Sequence, residues 1–216
     1  MKKPLFTMKG FTIIELLISL AIFAFMTAFL VAKYGNFNQG ILLTNLAYDV
    51  AITLRNAQSY GINVRNRTNL NEDGYIYGFG VHFDSNSNTV DGVIPRQQMI
   101  FFADAPIDTG GENLYYNGVY DRLSGEAISI FTIKNGSYIS SVCTGDKPEN
   151  CNSSNSTNGD TVDITFVRPD PNAIITTVDS NGIGSKKTYA EIVLKSSSGL
   201  TKKVVVRSTG QITVEN

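Results

Sequence analysis

From Phe11 to Val31 the chain reads FTIIELLISLAIFAFMTAFLV, an apolar run whose single ionisable side chain is Glu15. As a helix rising about 1.5 Å per residue it spans roughly 30 Å, the thickness of a bilayer's hydrocarbon core. Lys2, Lys3 and Lys9 precede the run, so the positive-inside rule puts the N-terminus in the cytoplasm and everything beyond residue 33 outside. The run is longer than the apolar core of a secretory signal peptide, and Ala28 to Ala32 offers only a poor cleavage site after it. A plain signal anchor accounts for all of this except Glu15.

A carboxylate near the edge of a membrane span costs about 2–3 kcal/mol on insertion scales, so it is kept there for a partner. If the chain is cut after Gly10, Phe11 acquires a positively charged α-amino group at nearly the same membrane depth. On neighbouring chains such an amine and the Glu15 carboxylate neutralise each other in a medium of low dielectric. Each subunit offers one of each group, so the pairing repeats along an assembly. Glu15 reads as an assembly contact.

The residues Lys9-Gly10-Phe11-Thr12-Ile13-Ile14-Glu15-Leu16-Leu17, followed by an unbroken apolar segment, resemble the leader of type IV pilins and type II secretion pseudopilins. The resemblance implies a membrane peptidase that cleaves after Gly10 and methylates the new N-terminal Phe11, with Glu15 guiding docking onto a growing filament. It also implies the partners: other pilin or pseudopilin subunits, the prepilin peptidase/N-methyltransferase, and an inner-membrane assembly platform driven by a separate ATPase. Many major pilins bend their helix with a proline where this chain has Ala32, which fits a minor pilin or pseudopilin better. The expected localisation is the bacterial inner membrane, single-pass, and then the filament.

Beyond the membrane the helix becomes amphipathic. Leu43, Leu46, Ala47, Val50, Leu54 and Ala57 recur at helical spacing, with Asn45, Asp49, Thr53 and Asn56 between them. Gly35 and Gly40 weaken the helix just above the membrane, and Tyr60-Gly61-Ile62 reads as a glycine C-cap. Past residue 72 the period changes to two: Tyr75, Tyr77, Phe79, Val81 and Phe83 alternate with Ile76, Gly78, Gly80 and His82 as a half-buried strand. Further strands are expected at Gln98–Ala103, Ala127–Ile133, Tyr138–Cys143, Thr161–Val167, Ala173–Val178, Thr188–Lys195, Lys202–Arg207 and Gln211–Val214. The last two are joined by the turn Ser208-Thr209-Gly210.

The expected fold is α+β, a long N-terminal helix packed on an antiparallel, β-sandwich-like head. The expected segments are a leader (1–10), a transmembrane half-helix (11–33), an amphipathic half-helix (34–61) and an extracytoplasmic β-rich head (62–216). With 216 residues and 42% hydrophobic content the chain suffices for one compact domain plus an extended element. YGFGVHFD, FFAD and the terminal KKVVVRSTGQITV are, in addition, similar to H-type pseudopilins and related minor pilins, which implies paired sheets wrapped on the helix.

Four groups in the β half bear on chemistry. Cys143 and Cys151, in the loop CTGDKPENC, form a structural disulfide in an oxidising compartment; two cysteines alone are too few for a metal site. Asp104–Asp121 is rich in carboxylates, and Asp108, Glu112, Asn117 and Asp121 offer hard oxygen ligands for Ca²⁺. The spacing is not that of an EF-hand, and a polar surface loop is the default. Lys186, Lys187, Lys195, Lys202, Lys203 and Arg207 form a basic patch if neighbouring strands stack them on one face. Some minor pilins bind DNA during uptake, so DNA capture is the alternative function, against a sheet edge protected by lysines. The formal net charge of −1 gives no bulk attraction to nucleic acid. His82, the single histidine, has no nucleophile or carboxylate placed beside it by any motif, and no phosphate-cradling loop occurs. The chain does not read as an enzyme, and no cofactor is expected.

Overall fold

The computed structural model describes residues 10–63, 78–89, 92–104, 117–148, 151, 161–178 and 184–216. Its class is α+β. A single long helix, α1 (Ile13–Ile62), precedes ten strands among the described residues. In chain order these are β1 (Gly78–Asp84), β2 (Gln98–Asp104), β3 (Ala127–Thr132), β4 (Tyr138–Gly145), β5 (Thr161–Phe166), β6 (Ala173–Val178), β7 (Gly184–Lys187), β8 (Tyr189–Lys195), β9 (Thr201–Arg207) and β10 (Ile212–Glu215). Contacts group the chain into two units, Met1–Asn38 and Gln39–Asn216.

In the first unit α1 begins where Thr12 can cap it. The Thr12 hydroxyl accepts the N–H of Glu15 at 3.3 Å and its carbonyl accepts the N–H of Leu16 at 3.1 Å, a Thr-x-x-Glu start that satisfies donors the helix would leave unpaired. No proline falls within α1, so nothing removes a rung of its ladder, and the helix runs through Gly35 and Gly40 without a break in assignment. At the other end the glycine C-cap expected at Gly61 is not formed. The helix continues to Ile62, and Asn63 closes it by donating its backbone and side-chain N–H groups to the Ser59 carbonyl at 3.1 and 2.7 Å. Gly61 serves packing instead: a Cβ there would land on the Phe166 carbonyl oxygen and 2.8 Å from the Phe166 Cβ.

In the second unit the strands form two antiparallel sheets, one ordered β3-β2-β1-β5-β6-β7 and one ordered β10-β9-β8-β4. The helix residues expected to face the core, Leu43, Leu46, Ala47, Val50, Leu54 and Ala57, are all buried, as is Ala51. They share one apolar cluster with Val81, Phe83, Ile164 and Phe166 of the first sheet and Ile139, Ile192, Leu194 and Val204 of the second. Gln58 pins the helix further by donating its Nε2–H to the carbonyls of Pro171 and Gly210 at 2.9 and 3.2 Å.

Strand β1 differs from the expected half-buried ribbon. It lies between β2 and β5 and is buried on both faces from Gly78 to Val81. Its glycines sit where neighbours press in: a Cβ on Gly80 would come within 2.6 Å of Thr165 Cγ2 and 2.8 Å of the Phe102 ring. At one edge of the same sheet, β7 (GSKK) has no apolar alternation and was not expected as a strand; its lysines suit an edge. At the other edge β3 (AISIFT) exposes Ile128, Ile130 and Phe131 and carries no charge.

Replacing Gly61 by Ala should destabilise the head by about 1–3 kcal/mol, the usual cost of overpacking, read as a lower unfolding midpoint by circular dichroism. An unchanged midpoint would show that the contact with Phe166 relaxes freely.

Candidate functional site

The N-terminal candidates lie at the start of α1. Gly10 precedes the helix, Phe11 is 81% exposed, and Glu15 is exposed one turn on. Among the described residues none bonds the Glu15 carboxylate. The neighbouring polar side chains are treated differently: Ser19 Oγ donates to the Leu16 carbonyl at 2.9 Å, and Thr27 Oγ1 donates to those of Phe23 and Ala24 at 3.0 and 2.9 Å. Hydroxyls in a lipid-facing helix can satisfy themselves on its own backbone; a carboxylate, which has no proton to donate when ionised, cannot. Ile13–Val31 is long and apolar enough to cross a membrane, and none of it is buried within the chain.

A family model described as the prokaryotic N-terminal methylation motif matches residues 6–31. The chain carries a prepilin-type signal of the type IV pilin and pseudopilin kind. The match covers the residues just before the apolar helix and its apolar span, and leaves the head to be read from its own geometry. No curated protein and no solved structure matches this chain.

The Cys143 and Cys151 sulfurs are bonded to each other, closing the end of β4 onto the loop that follows. The basic residues fall on two sheets. Lys186 and Lys187 lie on β7 of the six-stranded sheet, whereas Lys195, Lys202, Lys203 and Arg207 lie on β8 and β9 of the four-stranded one. Within β9 the alternation of side chains puts Lys202 on the opposite face from Lys203 and Arg207. Lys203 pairs with Glu191 at 2.8 Å, the Arg207 guanidinium lies 5.6 Å from the Tyr189 ring centre, and Lys202 Nζ donates to Asn216 Oδ1. Burial, then the nearby Glu191 carboxylate that accepts its O–H at 3.2 Å, push the Tyr189 hydroxyl up to about 12.

Of the four Ca²⁺ candidates, Asp108 and Glu112 lie outside the described residues. Asn117 and Asp121 turn their side chains onto their own loop, Asn117 Oδ1 accepting the N–H of Val119 and Asp121 Oδ1 that of Leu123, both at 2.9 Å. These are Asx turns. Among the described residues no three His, Cys, Asp or Glu side chains are placed to hold a metal ion.

His82 does have a carboxylate partner, which no motif revealed: its Nδ1 lies 2.8 Å from Asp163 Oδ1. The two meet because β1 and β5 pair in a register that sets His82 opposite Asp163. Burial works against the charged ring, but the charge and hydrogen bond of Asp163 together with the charge of Asp84 raise the His82 pKa. Around this pair are two further buried carboxylates, Asp104 and Glu126, and the ring of Tyr120.

Reducing the Cys143–Cys151 bond should lower the stability of the head by about 2–3 kcal/mol, the chain entropy released when so short a loop is opened. Thermal unfolding with and without a thiol reductant measures it, and Cys143→Ser with Cys151→Ser should match the reduced protein.

Proposed function

We propose that this chain is a prepilin-like structural subunit, a minor pilin or pseudopilin, that is cleaved after Gly10, methylated on Phe11 and built into a type IV pilus or a type II secretion pseudopilus. The observation that carries the reading is the matched signal at residues 6–31 with an exposed, unbonded carboxylate on its first helical turn. Lys2, Lys3 and Lys9 orient the span with its N-terminus in the cytoplasm, so the head stands outside the inner membrane, where the Cys143–Cys151 bond persists.

The work is assembly rather than catalysis. Cleavage frees an ammonium at Phe11, and methylation leaves its charge in place. Within the bilayer's low dielectric the ammonium of one subunit and the Glu15 carboxylate of its neighbour each lack another partner, so docking relieves both. The apolar surface of Ile13–Val31 then packs against equivalent helices, and the heads face outward. A prepilin peptidase, sister subunits and an assembly platform with its own ATPase are the partners this mechanism needs. DNA capture through Lys186, Lys187, Lys202, Lys203 and Arg207 finds less support, since these residues are divided between two sheets and three of them are engaged within the chain.

Intact mass of the mature protein should show loss of residues 1–10 and gain of one methyl group; a retained leader contradicts the proposal. Glu15→Gln should leave expression, insertion and cleavage intact. It should cut filament incorporation roughly a hundredfold, since leaving one charge of a buried pair unpartnered costs about 3 kcal/mol. Normal incorporation of that variant would refute the docking role.

A further inference from the structure

The described segment 117–126 lies against the outer face of the six-stranded sheet; a carboxylate of β2 ties it there, and a carboxylate of its own closes it on itself, each accepting a backbone N–H. Asp104, at the end of β2, takes the N–H of Gly118 on Oδ2 at 3.0 Å. Glu126 takes the N–H of Asp121 on Oε2 at 2.6 Å. Both acids are only 1% exposed. Between these ties the Tyr120 ring packs on His82 and Phe102, with centres 5.2 and 5.5 Å apart, while Gly118 sits over Thr165 and Thr176.

The polar accounting beneath the segment does not close. Among the described residues, Asp104 Oδ1, Asp163 Oδ2 and Thr176 Oγ1 are buried without a hydrogen-bond partner. An ionised Asp104 would therefore hold a buried charge beside two more carboxylates, Glu126 and Asp163, with one oxygen unbonded, an arrangement that strongly favours the neutral acid. Among the described residues the other charged or titratable groups around it are His82 and Asp84 from β1, Tyr120, Asp121 and Arg122 from the segment itself, and Lys186, which β7 places opposite Thr176 on the same face. His82 is already committed to Asp163.

We propose that segment 117–126 is a pH-sensitive clasp, closed over the sheet while Asp104 is protonated and released when Asp104 ionises. Burial first, then the charge of Glu126, raise the Asp104 carboxyl to about 7, with Asp163 adding to them and the Gly118 N–H opposing. In the released segment the carboxyl falls back toward its ordinary 3.8. Closing therefore takes up a proton. Release grows by about tenfold per pH unit between those two values and levels off above the higher one. His82 does not drive the release: its partners Asp163 and Asp84 lie on β5 and β1, so its pairing stands whether the segment is closed or open. Release uncovers Tyr120, Phe102 and His82, so the clasp gates an aromatic surface by the acidity of its compartment.

Hydrogen–deuterium exchange of the full chain in detergent micelles, at pH ~5 and pH ~8 with labelling times scaled to the intrinsic exchange rate, tests this. Peptides spanning 117–126 should lose at least about tenfold in protection at the higher pH, while those of β1 and β5 keep theirs. Asp104→Asn can still accept the Gly118 N–H but cannot ionise, and should hold the segment protected at both pH values. If that variant fails to fold, Glu126→Gln serves instead: removing the charge beside Asp104 should shrink the pH response. Equal protection of the parent segment at both pH values overturns the proposal. So does an undiminished fall in the folded variant, or a fall shared by β1 and β5.

Discussion

Everything in the head depends on burial of one helical stripe. Leu43, Leu46, Val50 and Leu54 project from α1 into an apolar cluster that also takes the inward side chains of both sheets. Each fully buried aliphatic side chain contributes about 1.5–3 kcal/mol. The sheets are each half of a core; the helix supplies the surface they share. Gly61 and Gln58 then fix how closely it lies, Gly61 by admitting the Phe166 backbone and Gln58 by bonding the carbonyls of Pro171 and Gly210.

The same helix meets two solvents, and its residues divide accordingly. From Ile13 to Val31 it is apolar on all sides but for Glu15 and is covered by nothing among the described residues; further on, its apolar residues narrow to a stripe. Sequence periodicity registers this change directly, because burial on one side is what makes a 3.6-residue pattern. For that reason the helix, its core positions and the prepilin-type signal are legible in the amino-acid sequence. Nearly all the strands are too, since Val, Ile and Phe alternate in them.

What escapes the sequence shares a physical cause: it depends on partners distant along the chain. β7 is a strand because β6 bonds it, and nothing in GSKK announces that. The half-buried reading of β1 fails because residues beyond the alternating stretch cover its second face. His82 and Asp163 are joined only by sheet register, and the burial of Asp104 and Glu126 follows from a segment folding across them. Gly61 looks like a helix terminator because local rules say so; a close approach to Phe166 is not local. The cysteines lie close enough in sequence for their pairing to be read directly, whereas the lysines near the C-terminus, read as a group, are divided between two sheets.

The central place of β1 has a consequence for timing. Its neighbours are β2 and β5, and the latter begins only at Thr161, while the core that α1 enters also needs Val206 and Ile212, close to the end of the chain. Contacts so distant cannot form until the intervening loop closes, which slows folding compared with locally wired proteins. Until residues past Thr161 have arrived β1 lacks one of its two neighbours, and any factor that shelters its open edge acts during that interval.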